Sequence, residues 1–160
     1  MPTANDVAAY ILTQHGPMST WKLQKLVYYA QAWSLVWDDA ALFDDPIEAW
    51  ANGPVVRSLY NQHRGMFSVS RLARGDSGAL SPVQRDTVDA VLDSYGKLTG
   101  RQLSHLTHEE QPWRTARDGL APDERSEEPI SLEVMQGFYA ALDVADEAVP
   151  VESLDWAKRS

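Results

Sequence analysis

Two histidines, His105 and His108, stand three residues apart and are followed at once by Glu109 and Glu110. On a helix that spacing puts both imidazoles on one face, as a helical metal pair requires. Zinc usually takes three or four protein ligands, and the spacing indicates no third one. The chain has no His-Glu-x-x-His run and no cysteine. The pair therefore reads as structural or surface histidines. Asp38-Asp39 and Asp44-Asp45 are paired carboxylates of the kind acid–base chemistry uses, but each pair sits among turn formers and reads as turn and cap residues. Ser34 lies on an apolar segment, outside any Gly-x-Ser-x-Gly elbow and with no histidine near it in sequence. No glycine-rich phosphate cradle occurs. The expectation is a non-enzyme with no catalytic residue, no metal and no cofactor. Six tryptophans remain to be explained. Trp33 and Trp50 read as core; Trp37 and Trp113, beside acidic loops, divide evenly between packing and recognition.

The elements that position these residues are mostly helical. A short helix over 3–15 is capped by Thr3 or Asn5 and stopped by His15-Gly16-Pro17. From about residue 20 to 38, Leu23, Leu26, Val27, Ala30, Trp33 and Trp37 recur at helical spacing, and Tyr29, Ala32 and Val36 widen the stripe. A helix apolar around most of its circumference is central and buried. The pattern then breaks. Residues 47–50 alternate as a short strand, Asn52-Gly53-Pro54 is turn chemistry, and Pro54 suits the start of a helix to Gln62. Residues 65–80 read as a loop with a short strand at 68–72. Ser81-Pro82-Val83-Gln84 opens the next helix with Val88, Val91, Leu92 and Tyr95 inward. Short helices follow at 101–108 and 113–118, then an acidic loop, then a helix from Ser131 to about 144 with Val134, Phe138, Ala141, Leu142 and Ala145 on one face. The expected fold is mainly α: one compact domain, a bundle of five to seven helices around the buried helix 20–38, with at most a very small β-ribbon from 47–50 and 68–72. Residues 1–145 form the domain. Residues 146–160 form an acidic tail, partly ordered or flexible, in which Leu154 and Trp156 could dock.

Composition bounds the function classes. With 160 residues, 44% hydrophobic and 23% charged, the chain is an ordinary globular domain able to bury a core without staples. The absence of cysteine removes disulfides and thiol chemistry. No run approaches a membrane span and no leader pattern is present, so a cytoplasmic protein without membrane partners is expected. The net charge of −9 argues against nucleic acid as the main partner. The acidity is localised: residues 109–155 hold 13 Asp/Glu against 3 Lys/Arg. Residues 57–85 are basic, with Arg57, Arg64, Arg71, Arg74 and Arg85 against Asp76 alone. Such a bipolar surface can steer a charged protein partner.

Several segments together are recognisable. Lys22-Leu23-Gln24-Lys25-Leu26-Val27-Tyr28-Tyr29-Ala30-Gln31-Ala32-Trp33 resembles the signature helix of the Panacea-domain family, which includes SocA-like antitoxins and phage-associated GepA-like proteins. Leu42-Phe43 and the run Ile47-Glu48-Ala49-Trp50-Ala51-Asn52-Gly53-Pro54-Val55, ending at Tyr60, resemble its Glu-x-Trp-x-x-Gly-Pro-Val segment. Leu103-Ser104, Thr107-His108, Pro112-Trp113 and Ala116 resemble a third block. Ile130-Ser131, Met135, Phe138 and Tyr139 fit the closing helix.

The resemblance implies the antitoxin of a toxin–antitoxin module, which neutralises a cognate protein toxin by direct binding. It also implies that the shared residues Lys25, Tyr28, Tyr29, Trp33, Trp50, Gly53, Pro54, Tyr60 and His108 are structural. The toxin-binding candidates lie in less regular parts: Trp37 and Phe43, Arg57 and Arg64, and Glu109, Glu110, Trp113, Asp118 and Asp123. The assembly is a toxin–antitoxin heterocomplex or a homodimer. Two rivals stand beside this reading: a DNA-binding autoregulator using the Arg57–Arg85 stretch, and a metal-dependent hydrolase using His105 and His108.

Overall fold

The computed structural model describes residues 1–146. The order is α1 (Ala4–His15), β1 (Met18–Ser19), α2 (Thr20–Trp37), β2 (Ile47–Trp50), β3 (Gly53–Val56), α3 (Arg57–His63), β4 (Ser68–Val69), α4 (Pro82–Tyr95), α5 (Gly100–Glu109), α6 (Gln111–Ala116) and α7 (Leu132–Asp146). The protein is mainly α, with seven helices among the described residues and two minute antiparallel strand pairs, β1–β4 and β2–β3. The tail beyond 146, with Leu154 and Trp156, lies outside the described residues.

Helix α2 is the axis of the molecule. Ser19 caps it, its hydroxyl accepting from the Lys22 amide. From Leu23 to Leu35 every side chain is buried, which is what an all-round apolar helix demands. Helices α4, α5 and α7 pack around it, with α1 and the β2–β3 hairpin closing the remaining sides. The two glutamines in its apolar run hold the chain that follows. Gln31 Oε1 accepts from the Leu42 amide (2.7 Å) and its Nε2 donates to Phe43 O (2.8 Å). Gln24 Oε1 accepts from the Val56 amide (2.9 Å), and its Nε2 bonds Val56 O (3.2 Å) and His63 Nε2 (2.9 Å). Buried amides fully used in this way stitch irregular backbone to a helix.

The aspartate pairs are turn and cap residues. Asp38 caps the end of α2 and accepts from Thr87 Oγ1 (2.6 Å); Asp39 adopts φ +50°. Asp45 receives the Ala4 amide (2.9 Å) and the Ser58 hydroxyl (2.6 Å).

Three expectations need correcting. Pro54 does not start a helix; it lies in β3 opposite Ala49. The Ala49 amide faces away and donates to Glu128 O (2.8 Å), and Ala49 O accepts from Arg117 Nη1 (2.9 Å). Pro54's missing N–H therefore leaves no ladder bond unmade. The 68–72 segment does not join the 47–50 strand either: Val69 pairs with Met18, whose partner strand was invisible in a two-residue stretch. On α7 the inward face centres on Met135 and Tyr139, both fully buried, while Ala141 and Ala145 are exposed. A tyrosine whose hydroxyl has an internal partner behaves as core.

The segment after α6 straps the hairpin. Arg117 Nη2 donates to Ala121 O (3.1 Å) and to Glu124 O. The Ile130 amide donates to Ile47 O (2.7 Å), and Pro129 bridges Glu48. Residues 128–130 thus lie along the outer edge of β2.

Gly53 is the tightest point of the hairpin. Its φ is +121°, and a Cβ there would lie 2.5 Å from Lys25 Cε and 3.1 Å from Thr107 Oγ1. Lys25 can swing aside, but the backbone strain remains. Gly53→Ala should cost about 2 kcal/mol. Gly137→Ala at an exposed position of α7, with open space around it, should be neutral or stabilise by up to about 1 kcal/mol. Urea denaturation of the two variants measures the contrast; equal stabilities would contradict it.

Candidate functional site

Two concavities flank the strap. The first, about 420 Å³, lies between α2, the hairpin, the α3 end and the strap, and is lined by Lys25, Gln24, Trp50, Tyr60 and His63 with Asp123, Arg125 and Glu127. The second is a broader groove formed by the ends of α5 and α6, the 117–122 loop and Phe138 of α7.

Beside the first pocket lies an apolar rim. Trp21 is 47% exposed, Met66 47% and Phe67 87%. The 66–67 backbone is tied to the start of α2, where the Thr20 amide donates to Phe67 O (3.0 Å). At the pocket base Lys25 is only 2% exposed, and its Nζ donates to Pro54 O (3.1 Å). Among the described residues it has no carboxylate partner. Burial pulls its pKa down to about 7. Burial, with Lys25 next in effect for His108, also lowers the pKa of His63 and His108.

A second buried ionisable group lies deeper. Glu110 Oε1 accepts from the hydroxyls of Tyr29 and Tyr139, both at 2.7 Å. Tyr139's proton being committed, Tyr28 is the donor in the 3.0 Å contact between their hydroxyls. Tyr29 stacks on Tyr95 (4.2 Å), and Trp33 Nε1 donates to the Tyr95 hydroxyl (3.0 Å). Burial pushes Glu110 up to about 7, against the lowering effect of its two tyrosine bonds.

The candidate contact residues divide. Glu109, Trp113 and Asp118 line the second groove together; Asp123 lines the first pocket. Arg64 is exposed. Arg57 is engaged by Glu48 (3.0 Å) and Glu127 (2.7 Å). Trp37, 42% exposed, stacks on Trp33 at 4.8 Å and donates to Asp143 (3.4 Å). Phe43 and Glu110 are buried, so the folded chain presents neither to a partner. Phe43 fills the space under the Gln31-held loop, and Glu110 answers the tyrosines. Trp113 is also largely buried: it stacks on His108 (4.1 Å), lies under Arg117, and donates to Trp50 O (2.8 Å).

The shared-motif residues fall into the core and the hairpin. Lys25, Tyr28, Tyr29, Trp33, Gly53 and Pro54 are buried. Trp50 and Tyr60 are half-buried and meet edge to face at 4.8 Å. His108 is half-buried, with a hydrogen bond to the Asn52 backbone, and its Nε2 is buried without a partner. His105 is exposed and pairs with Glu109 (3.0 Å). Among the described residues no three His, Asp or Glu side chains converge as a metal site would require.

The family model for the SocA-like antitoxin, Panacea domain, matches residues 23–114, more than half of the chain. The chain belongs to the SocA-like antitoxin family. No curated protein and no solved structure matches it. The Panacea match takes in α2, the hairpin, α5 and most of α6. It therefore covers the base of the first pocket and the buried network apart from Tyr139, while the strap and α7, which carries Tyr139, lie beyond it. No helix of the described residues is long and apolar enough to cross a membrane.

Sequence reasoning missed the Trp21–Met66–Phe67 rim. Its signal was present: three large apolar residues at polar boundaries, one at the helix start and two after Gly65, with no periodicity to bury them. It also missed that Lys25 forms a pocket base, since a lysine within an apolar helix says nothing of which side opens.

Proposed function

We propose that this chain is the antitoxin of a toxin–antitoxin pair and that it neutralises a cognate protein toxin in the cytoplasm by direct binding, as a heterocomplex and without catalysing a reaction. Membership of the SocA-like antitoxin family carries this reading. Two surface features support it. The rim of Trp21, Met66 and Phe67 is an exposed apolar patch, which on a soluble chain marks contact with another molecule. The chain's acidity is concentrated in residues 109–155, where Glu109 and Asp118 sit at the second groove beside Arg114 and Arg117, and Asp123 stands at the first pocket; that acidic third of the chain suits a toxin with a basic substrate site, such as one acting on RNA, nucleotides or translation. Trp113 supports that groove from beneath.

The experiment is co-expression with the neighbouring gene product, read as growth rescue, together with association kinetics on the purified pair. The wild-type chain should rescue growth. The variant E109K/D118K/D123K, which leaves buried Glu110 alone, should slow association about tenfold at low salt and converge on wild type at high salt. An unchanged association rate would remove the acidic surface from the reading. A harmless neighbouring product and no co-purifying protein would overturn the antitoxin reading itself.

A further inference from the structure

We propose that the pocket over Lys25 is a recognition pocket for a carboxylate-bearing segment of the protein partner, an Asp, Glu or chain terminus presented beside a large apolar side chain. The proposal rests on the reading of this chain as a binder of another protein and names what that protein inserts.

Four observations carry it. Lys25 carries a buried amino group with one acceptor, Pro54 O, and no counter-charge among the described residues. A buried ammonium has three donors and is costly without an anion. An arriving carboxylate supplies both the acceptor and the charge. The pocket is the size of a site for a small side-chain cluster, at about 420 Å³. Its walls are aromatic, Trp50 against Tyr60 at 4.8 Å, and its polar atoms are already oriented: Gln24 is locked between Val56 and His63. The apolar rim extends the contact outward, giving a partner's apolar residues something to cover.

The occupant is a polypeptide carrying one carboxylate rather than a polyanion. Asp123 stands at the pocket against Arg125, and Glu127 is already paired with Arg57 (2.7 Å), so the entrance offers no surplus of positive charge to a run of phosphates, while a single carboxylate at the base meets Lys25. The exposed Trp21, Met66 and Phe67 match the apolar flank of a protein segment.

The test uses two small probes on the full-length chain, followed by NMR at the indole N–H groups of Trp21 and Trp50. N-acetyl-L-tryptophan carries an aromatic ring and a carboxylate; N-acetyl-L-tryptophanamide has the same ring without the charge. The acid should shift both indoles and bind at least tenfold more tightly than the amide. Lys25→Met should abolish that preference. Trp21→Ala, at an exposed site, should weaken both probes while leaving the folded spectrum unchanged. Equal binding of acid and amide, or shifts confined to the second groove, would overturn the proposal. So would binding by inorganic phosphate as tight as by the acid, or a probe effect explained by self-association in sedimentation. The antitoxin reading is separable: a chain that rescues growth but ignores the acid keeps that reading and loses the pocket. A chain that binds the acid but rescues nothing keeps the pocket and loses the antitoxin.

Discussion

Glu110→Gln should be more stable than the wild-type chain above pH 7 and no more stable than it near pH 4.5. The carboxyl is buried among Tyr28, Tyr29 and Tyr139, and burial raises its pKa from 4.5 to about 7. In that interval the folded chain holds a proton that the unfolded chain has released. Stability from this group is therefore full below pH 4.5 and is lost as pH rises through 7. At 1.36 kcal/mol per unit, the loss comes to about 3 kcal/mol. The amide keeps the acceptor for both hydroxyls, which meet the same oxygen, and carries no charge to bury. The gap between variant and wild type should thus open with pH, reaching a melting difference of about 10 °C at pH 8 for a domain of this size. Lys25 works in the opposite sense at higher pH. Its pKa falls from 10.5 to about 7, so the unfolded state binds more protons between those values and stability rises there. Comparing the variant with wild type at each pH cancels the lysine's contribution. A gap of equal size at pH 5 and pH 8 would show that Glu110 does not titrate as its burial requires.

Truncating the central helix should be the most damaging change of all. Trp33 is buried between Trp37, Tyr139 and Tyr95, with its indole N–H bonded to the Tyr95 hydroxyl. Trp33→Ala removes that bond and leaves a void among elements far apart in sequence, α2, α4 and α7. The expected cost is about 4 kcal/mol, and about 3 kcal/mol for Leu26→Ala at a site with no exposure. A domain with a total stability of roughly 5–15 kcal/mol loses much of it to either change. Guanidinium denaturation measures both. A loss below about 1 kcal/mol for Leu26→Ala would mean that α2 is not the packed axis described above.

Helices α1, α2, α4 and α7 were legible because each carries its own start signal and period. Thr3, Ser19 and Ser81 accept from the third helical amide as their positions suggest, and Thr99, which the sequence did not mark, caps α5 in the same way. What was not legible is the chain's use of side chains to hold backbone. Gln24, Gln31 and Arg117 look like ordinary polar residues until the acceptors of distant segments come within reach. The same holds for the candidate site. Glu110 and Phe43 were singled out by type and by acidic or turn-rich surroundings, yet what buries each is a partner distant in sequence or space: Tyr29 and Tyr139 for the one, the Gln31-held loop for the other. Trp50 sits on the hairpin with half its surface covered, and no local pattern separates that from full burial.

The strap along β2 has a consequence for how specificity can diversify. Its course is set largely by bonds to main-chain atoms: Arg117 to Ala49 O, Ala121 O and Glu124 O, Glu128 O to the Ala49 amide, and Ile130 to Ile47 O. The side chains of Pro122, Asp123 and Arg125 are outside those bonds, and Asp123 and Arg125 border the first pocket, whereas Ser126 Oγ accepts from the Glu128 amide (3.1 Å). Conformation and lettering are thereby uncoupled. The loop is a display frame whose path survives rewriting, so a library at these few positions would vary the surface beside the first pocket on an unchanged skeleton.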